Sequence, residues 1–387
     1  MDRWCSLLLA CTLGCTAGAP PHAETPSETV SETGDPGVDP SDSGGGIDSG
    51  GGTGGGRVDV EPGPDCRDDA WPLQTAWNVL AAHVVAGQAD EDMVEDVRVL
   101  VSLLRSGTQP GPWDDQVKGP LISSDGGDFG DQRPSGVVDH ASVPAATLGP
   151  DGDLWLFFVD ADLDAMLEAA ESGRPMRSGI VGVGGLGAAR SADGVSFTRV
   201  ELRFEGEVPL YIVDPDITPL PDGRYRMTYF GVPAAQVCAD HLDPAASALP
   251  HRAYTAVSED LQTWTHEGVA WTPEGRGSDP AVWCEDGGRC WLWMGGGGVS
   301  VDGGRTYAPV SMELPGQQVT APDVFAVPGG WRMLYVDGTQ LSTAVSADGL
   351  SWTEDGTLPL SGADPTVVER DGDWWLYIKG KAPTDGG

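Results

Sequence analysis

Two hydrophobic rhythms divide the chain. Between residues 69 and 106 apolar side chains recur at helical spacing, first Leu73, Trp77, Leu80 and Val84, then Met93, Val97, Leu100 and Leu104. Gly87 ends the first run, and Asp90-Glu91-Asp92 opens the second, where acidic residues suit a helix N-terminus; Arg105 sits near its end. This predicts a small helical hairpin over residues 64–116, packed against the strand-rich remainder of the chain and structural in role, with a lid or partner surface as the alternative. From about residue 117 the rhythm changes to short runs of Val, Trp, Tyr and Phe bounded by Gly, Pro, Asp and Ser, the pattern of strands joined by tight turns.

The strand-rich part repeats itself. A turn module appears five times: Ser123-Ser124-Asp125-Gly126, Ser191-Ala192-Asp193-Gly194, Ser258-Glu259-Asp260-Leu261, Ser300-Val301-Asp302-Gly303 and Ser346-Ala347-Asp348-Gly349. Its logic is local: the Asp carboxylate ties down backbone N–H groups, Gly takes a positive φ, and an aromatic residue packs beneath. A second module opens a strand and leads through a Gly turn to a Trp- or Tyr-rich strand. It reads Asp214-Pro215-Asp216, Asp279-Pro280-Ala281 and Asp364-Pro365-Thr366, with degenerate copies at Val143-Pro144 and Ala321-Pro322-Asp323. The last strand opening has no turn module after it, and the first turn module has no opening before it. Residues about 117–132 should therefore complete the blade begun at Asp364. The expected fold is all-β: a five-bladed β-propeller over 117–387, closed by its N-terminal strands.

Ahead of this lies a different kind of chain. Residues 16–63 are mostly Gly, Ser, Thr, Asp, Glu and Pro, so no core forms from them and they read as a tether. Such a chain reaches roughly 35–40 Å. Residues 1–15 are a short apolar segment ending in Cys, which resembles a bacterial lipoprotein signal. Cys11 and Cys15 compete as the lipidated residue. Cleavage at Cys15 leaves Cys66, Cys238, Cys284 and Cys290, an even number suited to an oxidising compartment, and is preferred. Cys284 and Cys290 flank one hairpin and are expected to pair, leaving Cys66 for Cys238. A plain secretory signal is the alternative; either places the protein at the cell envelope, lipid-anchored, or secreted.

Charge narrows the partners. With 22 Lys and Arg against 59 Asp and Glu, the net charge is -37, which repels phosphate backbones and argues against nucleic acid. The expected partners are carbohydrate or an envelope protein, with membrane contact only through the anchor, on a monomer. His140, His241, His251 and His266 lack zinc-site spacing. No cofactor is required, although inward carboxylates would suit a Ca2+ ion in the central channel. Gly182–Gly187 lacks a following helix and a phosphate-binding Lys, and reads as a Gly-rich strand or loop.

The Asp-Pro openings, the Gly-x-Trp/Tyr strands and the Ser-x-Asp-Gly turns together resemble the five-bladed glycoside hydrolase propellers. These are the arabinanase/β-xylosidase type, glycosyl hydrolase family 43, and its invertase and levansucrase relatives. The turns alone are similar to sialidase Asp-boxes. The resemblance implies that Asp214, Asp279 and Asp364 converge on the channel as catalytic carboxylates. Asp139, His140, Asp216 and Asp323 would then contact substrate, a neutral sugar. Two departures matter: no acid stands at Val143, and no Glu replaces Asp in any opening, so the family's general acid has no counterpart. The same aspartates could instead cap their strands. That leaves a non-catalytic propeller binding a protein or glycan as the alternative. A sialidase-like enzyme ranks below both, because no Arg-Ile-Pro signature accompanies the arginines.

Overall fold

The computed structural model describes residues 91–105, 115–129, 134–160, 162–173, 185–206, 211–232, 252–273, 278–294, 296–315, 319–338 and 340–381. Their strands form five sheets arranged as the blades of one propeller. Blade I holds β3 (Ala141–Leu148), β4 (Leu154–Asp160), β5 (Leu186–Ser191) and β6 (Thr198–Val200). Blade II holds β8 (Tyr211–Pro219), β9 (Tyr225–Val232), β10 (Arg252–Ser258) and β11 (Thr263–Trp271), with β7 (Arg203–Glu205) added in parallel at its rim. Blade III holds β12 (Ala281–Cys284), β13 (Cys290–Trp293), β14 (Gly297–Ser300) and β15 (Ala308–Val310). Blade IV holds β16 (Thr320–Val327), β17 (Gly330–Asp337), β18 (Gln340–Ser346) and β19 (Thr353–Thr357). The inner strands β3, β8, β12 and β16 surround the axis.

Blade V closes the ring. Its sheet joins β20 (Ala363–Arg370) and β21 (Asp373–Lys381) to β1 (Asp115–Ser123) and β2 (Ser135–Asp139) in the order β2-β1-β21-β20. Leu121 pairs with Leu376 and Ser123 with Trp374, so the outer edge of β21 is covered by the N-terminal strand. The closing segment runs a little past the expected residue 132, because β2 lies at Ser135–Asp139.

One apolar cluster fills the space between each pair of neighbouring blades. Phe157 and Trp155 of blade I meet Tyr229 and Trp264 of blade II, and Trp293 of blade III meets Trp352 of blade IV edge to face. Leu376 and Ile378 of blade V pack on Leu334 and Val336 of blade IV, and Tyr377 packs on Leu156 and Phe158 of blade I. The Trp-rich strands are thus the mortar between sheets.

All five turn modules adopt the expected geometry. Asp125, Asp193, Asp260, Asp302 and Asp348 each accept two backbone N–H groups at 2.7–3.1 Å. Each also accepts the hydroxyl of the serine two residues before it. In the third copy Leu261 replaces Gly and still takes φ 63°, with Trp264 buried beneath and donating its indole N–H to the Leu261 carbonyl at 3.2 Å. Blade V holds the second turn in place: Arg370 donates to the Ala192 carbonyl at 2.7 Å, and Tyr377 to that of Gly194 at 2.8 Å.

Of the helical hairpin, the second helix is described. It is α1 (Glu91–Arg105), with Met93, Val97 and Val101 buried; the first helix, and with it Cys66, lies outside the described residues. The expectation that residues 69–106 are the one helical stretch is corrected by α2 (Leu163–Ser172), inserted between β4 and β5. Asp162 caps it by accepting the Asp164 N–H at 3.0 Å, and Leu163, Met166 and Ala170 form its buried face. The two helices pack together, with Arg98 bridging to Glu171 at 2.9 Å. Cys284 and Cys290 pair directly across the β12–β13 hairpin as a disulfide. Cys15 and Cys238 lie outside the described residues.

Candidate functional site

Each inner strand carries one backbone irregularity at the same place. Val143, Asp214, Asp279, Ala321 and Asp364 each precede a proline, and all have φ between 45° and 52°. Where the inner strand pairs on both sides of this residue, in blades I, II, IV and V, the register slips there, the signature of a β-bulge. A positive φ is tolerated by Asp, disfavoured by Ala and unfavourable for β-branched Val. The repeat therefore explains why Asp is common at the bulge without yet assigning it chemistry.

Three of these five residues put a carboxyl group beside the axis. Together with their prolines, and with Ala145, Asp216, Asp323 and Thr366, the bulges line a cavity of about 30 Å³. Asp214 and Asp364 are buried, and Asp279 is half-buried. Burial first, then the charges of Asp279 and Asp364, push the Asp214 carboxyl well above the usual carboxylate range; the Asp279 N–H, donating to it, works the other way. Burial and the nearby Asp364 raise Asp279 to about 6, opposed by the Ser278 hydroxyl and by Lys379. Lys379, on β21, forms an ion pair with Asp364. Burial opposes the lysine's charge, but Asp364 and Asp115 outweigh it and its pKa is raised. Asp115, also buried, accepts the Ser142 hydroxyl at 2.7 Å and pairs with Lys381 at 2.6 Å.

The residues two positions beyond the bulge do a different job. Asp216 accepts the N–H of Val282 in the next blade at 2.5 Å, Asp323 accepts that of Val367, and Thr366 accepts that of Ala146 at 2.8 Å. Each bond joins one blade to the following one at the same level of the ring. Asp216 and Asp323 were expected as substrate contacts; they do line the cavity, but their carboxyls are engaged as interblade latches. Burial raises both, Asp323 to about 7, and Asp216 is pushed further by the charge of Asp323.

Asp139 and His140, the other expected substrate contacts, are exposed and do not line the cavity. Asp139 ends β2, where its carboxylate takes the Gln116 amide and its carbonyl accepts from Arg199 at 2.7 Å. Lys379 was not anticipated, yet the repeat contained a signal. It pairs with Ala363, the residue before the bulge, where the other blades pair Val159, Phe230 and Val336. One charged residue among apolar equivalents marks the site. Among the described residues no glutamate lines the cavity, and no group of three or more His, Cys, Asp or Glu is arranged to hold a metal ion.

No family model matches the chain, and no curated protein matches it. Solved structures do. The chain is similar to a family-43 β-xylosidase/α-arabinofuranosidase from a compost microbial metagenome at 13% identity, covering 64% of this chain and 92% of that one, with a TM-score of 0.43. It is similar to an exo-β-1,3-galactanase from Phanerochaete chrysosporium at 10% identity, covering 68% and 65%, with a TM-score of 0.45. A putative glycosidase from Bacteroides thetaiotaomicron is similar at 19% identity, covering 62% and 83%, with a TM-score of 0.43.

Proposed function

We propose that this chain is an exported, lipid-anchored, glycoside-hydrolase-like propeller that acts on or binds neutral carbohydrate over its axial aspartates. One observation carries the reading: three carboxyl groups from three blades meet at the axis, and burial together with their mutual charge raises two of them, Asp214 and Asp279, above the usual carboxylate range. Glycosyl transfer to water needs two carboxyls in different protonation states beside one bond. In such a reaction Asp279 would donate a proton to the leaving oxygen, and a neighbouring ionised aspartate would face the sugar. The fit to neutral ligands follows from the chain's strongly acidic balance.

The test is turnover of aryl-glycosides and arabinan-type polymers by the purified chain. Activity that falls at least 100-fold in Asp279→Asn supports the reading; unchanged activity in a variant with Asn at 214, 279 and 364 overturns it. A second reading is favoured by the small, proline-walled cavity without an aromatic wall or a glutamate among the described residues. On that reading the propeller binds a glycan or an envelope protein without turning it over. It gives glycan retention on an array with no product from any member.

A further inference from the structure

Three carboxyl groups close together in a buried site cannot all ionise unless a counter-charge is present. The fold supplies one. Lys379 is 9% exposed, and its Nζ pairs with Asp364. Asp115 of β1 faces it from the ring-closing side, itself held by Lys381 and Ser142. Asp279 and Asp214 lie within its electrostatic reach across the axis, and Lys118 of β1 runs along Gly380 beside it. The strand does not need a lysine here, because Val159, Phe230 and Val336 fill the equivalent place in three other blades. An ammonium taken out of water is expensive, so its retention calls for a partner or a task.

We propose that Lys379 is a positioning residue that breaks the equivalence of the three axial aspartates. By engaging Asp364 it confines the exchangeable proton to Asp214 and Asp279, and so selects which carboxyl can donate to a bound ligand. The Asp279 N–H, donating to the Asp214 carboxyl, ties the two residues together at the one cavity that both line. Lysine thus does at this axis what a bound cation would do, with the charge built into the chain. The proposal deepens the reading of the axial aspartates as a ligand site and rests on it for its purpose, but not for its measurement.

The test is a pH titration of the full chain labelled with 13C-aspartate, without sugar, the Asp279 carboxyl signal being assigned by its loss in Asp279→Asn. In Lys379→Met the Asp279 midpoint rises from about 6 by about one pH unit or more, and Lys379→Arg restores it. Should Lys379→Met fail to fold, Asp364→Asn is compared with Asp364→Asn/Lys379→Gln. Neither leaves a buried anion facing an empty place, and the midpoint must be higher in the double variant. A midpoint that stays within 0.3 unit in every neutral variant overturns the proposal. Since no sugar enters the titration, failure of the whole glycan panel would leave these midpoints intact. The lysine's role and the sugar reading therefore fail separately.

Discussion

The propeller uses aspartate twice, and the two sets have opposite fates. At the outer turns a carboxylate meets converging backbone N–H groups: those of Asp128 and Gly127 hold Asp125 down to about 2, and those of Ser196 and Val195 hold Asp193 lower still. At the axis a carboxyl meets burial and other carboxyls, and Asp279 is pushed up to about 6. Both sets sit at residues fixed by the repeat. What differs is which backbone or side-chain groups the fold aims at them, and this decides whether the aspartate stabilises the blade or strains it.

Substitutions should separate the two sets by sign. Asp302→Ala removes the acceptor for Arg305 N–H, Thr306 N–H and the hydroxyls of Ser300 and Thr306, and should lower stability by about 2 kcal/mol at pH 7. Asp279→Asn removes a carboxyl whose ionisation the site resists, and should raise stability at pH 7 by about 1–2 kcal/mol while changing little at pH 4. Urea unfolding of each variant at both pH values checks the pair; equal signs would collapse the distinction.

The wild-type pH profile should show the same division. The turn aspartates have lowered folded values, so their contribution is full above about pH 4 and is lost as pH falls toward 2. The axial group has raised values, so its contribution is full below about pH 4 and is lost as pH rises through 6 and 7. Thermal stability should therefore peak in the mildly acidic range, with the decline on the alkaline side shallower in Asp279→Asn. Smaller effects test the frame that holds the axial set. Thr366→Val leaves the Ala146 N–H without its acceptor and should cost about 1–2 kcal/mol in urea. Ala321→Gly relieves a positive φ of 46° and should change stability by less than about 1 kcal/mol, toward the stable side.

How much of the molecule was legible in the sequence depends on how local each feature is. The turn modules were legible because Ser, Asp and Gly lie within four residues of one another and act on the same short stretch of backbone. Five such turns, interleaved with five strand openings, specify the blade count and the closure through β1 and β21. The convergence of Asp214, Asp279 and Asp364 came from the same repeat. The latches did not: Asp216 bonds Val282 and Asp323 bonds Val367 only because neighbouring blades stand side by side. Helix α2 was missed because its apolar stripe, Leu163, Met166, Leu167 and Ala170, covers only ten residues inside a strand-rich stretch, although the cap at Asp162 marks its start. Lys379 was passed over because its place in the second strand is filled by apolar residues in the other blades compared, and only the pairing of β20 with β21 sets it beside Asp364.

Ring closure also sets an order of assembly. β1 and β21 come together across nearly the whole length of the propeller sequence, the contact whose loop entropy is largest and whose formation should be slowest. Asp364 and Lys379 belong to that blade, so blades I to IV can fold while the axis is still without its third carboxyl and its lysine. The site is thus shared between the last blade and the ones before it: Asp279 meets Asp364 and Lys379 once the local β20–β21 hairpin stands beside its neighbours, and the closing strand then adds Asp115 to the lysine.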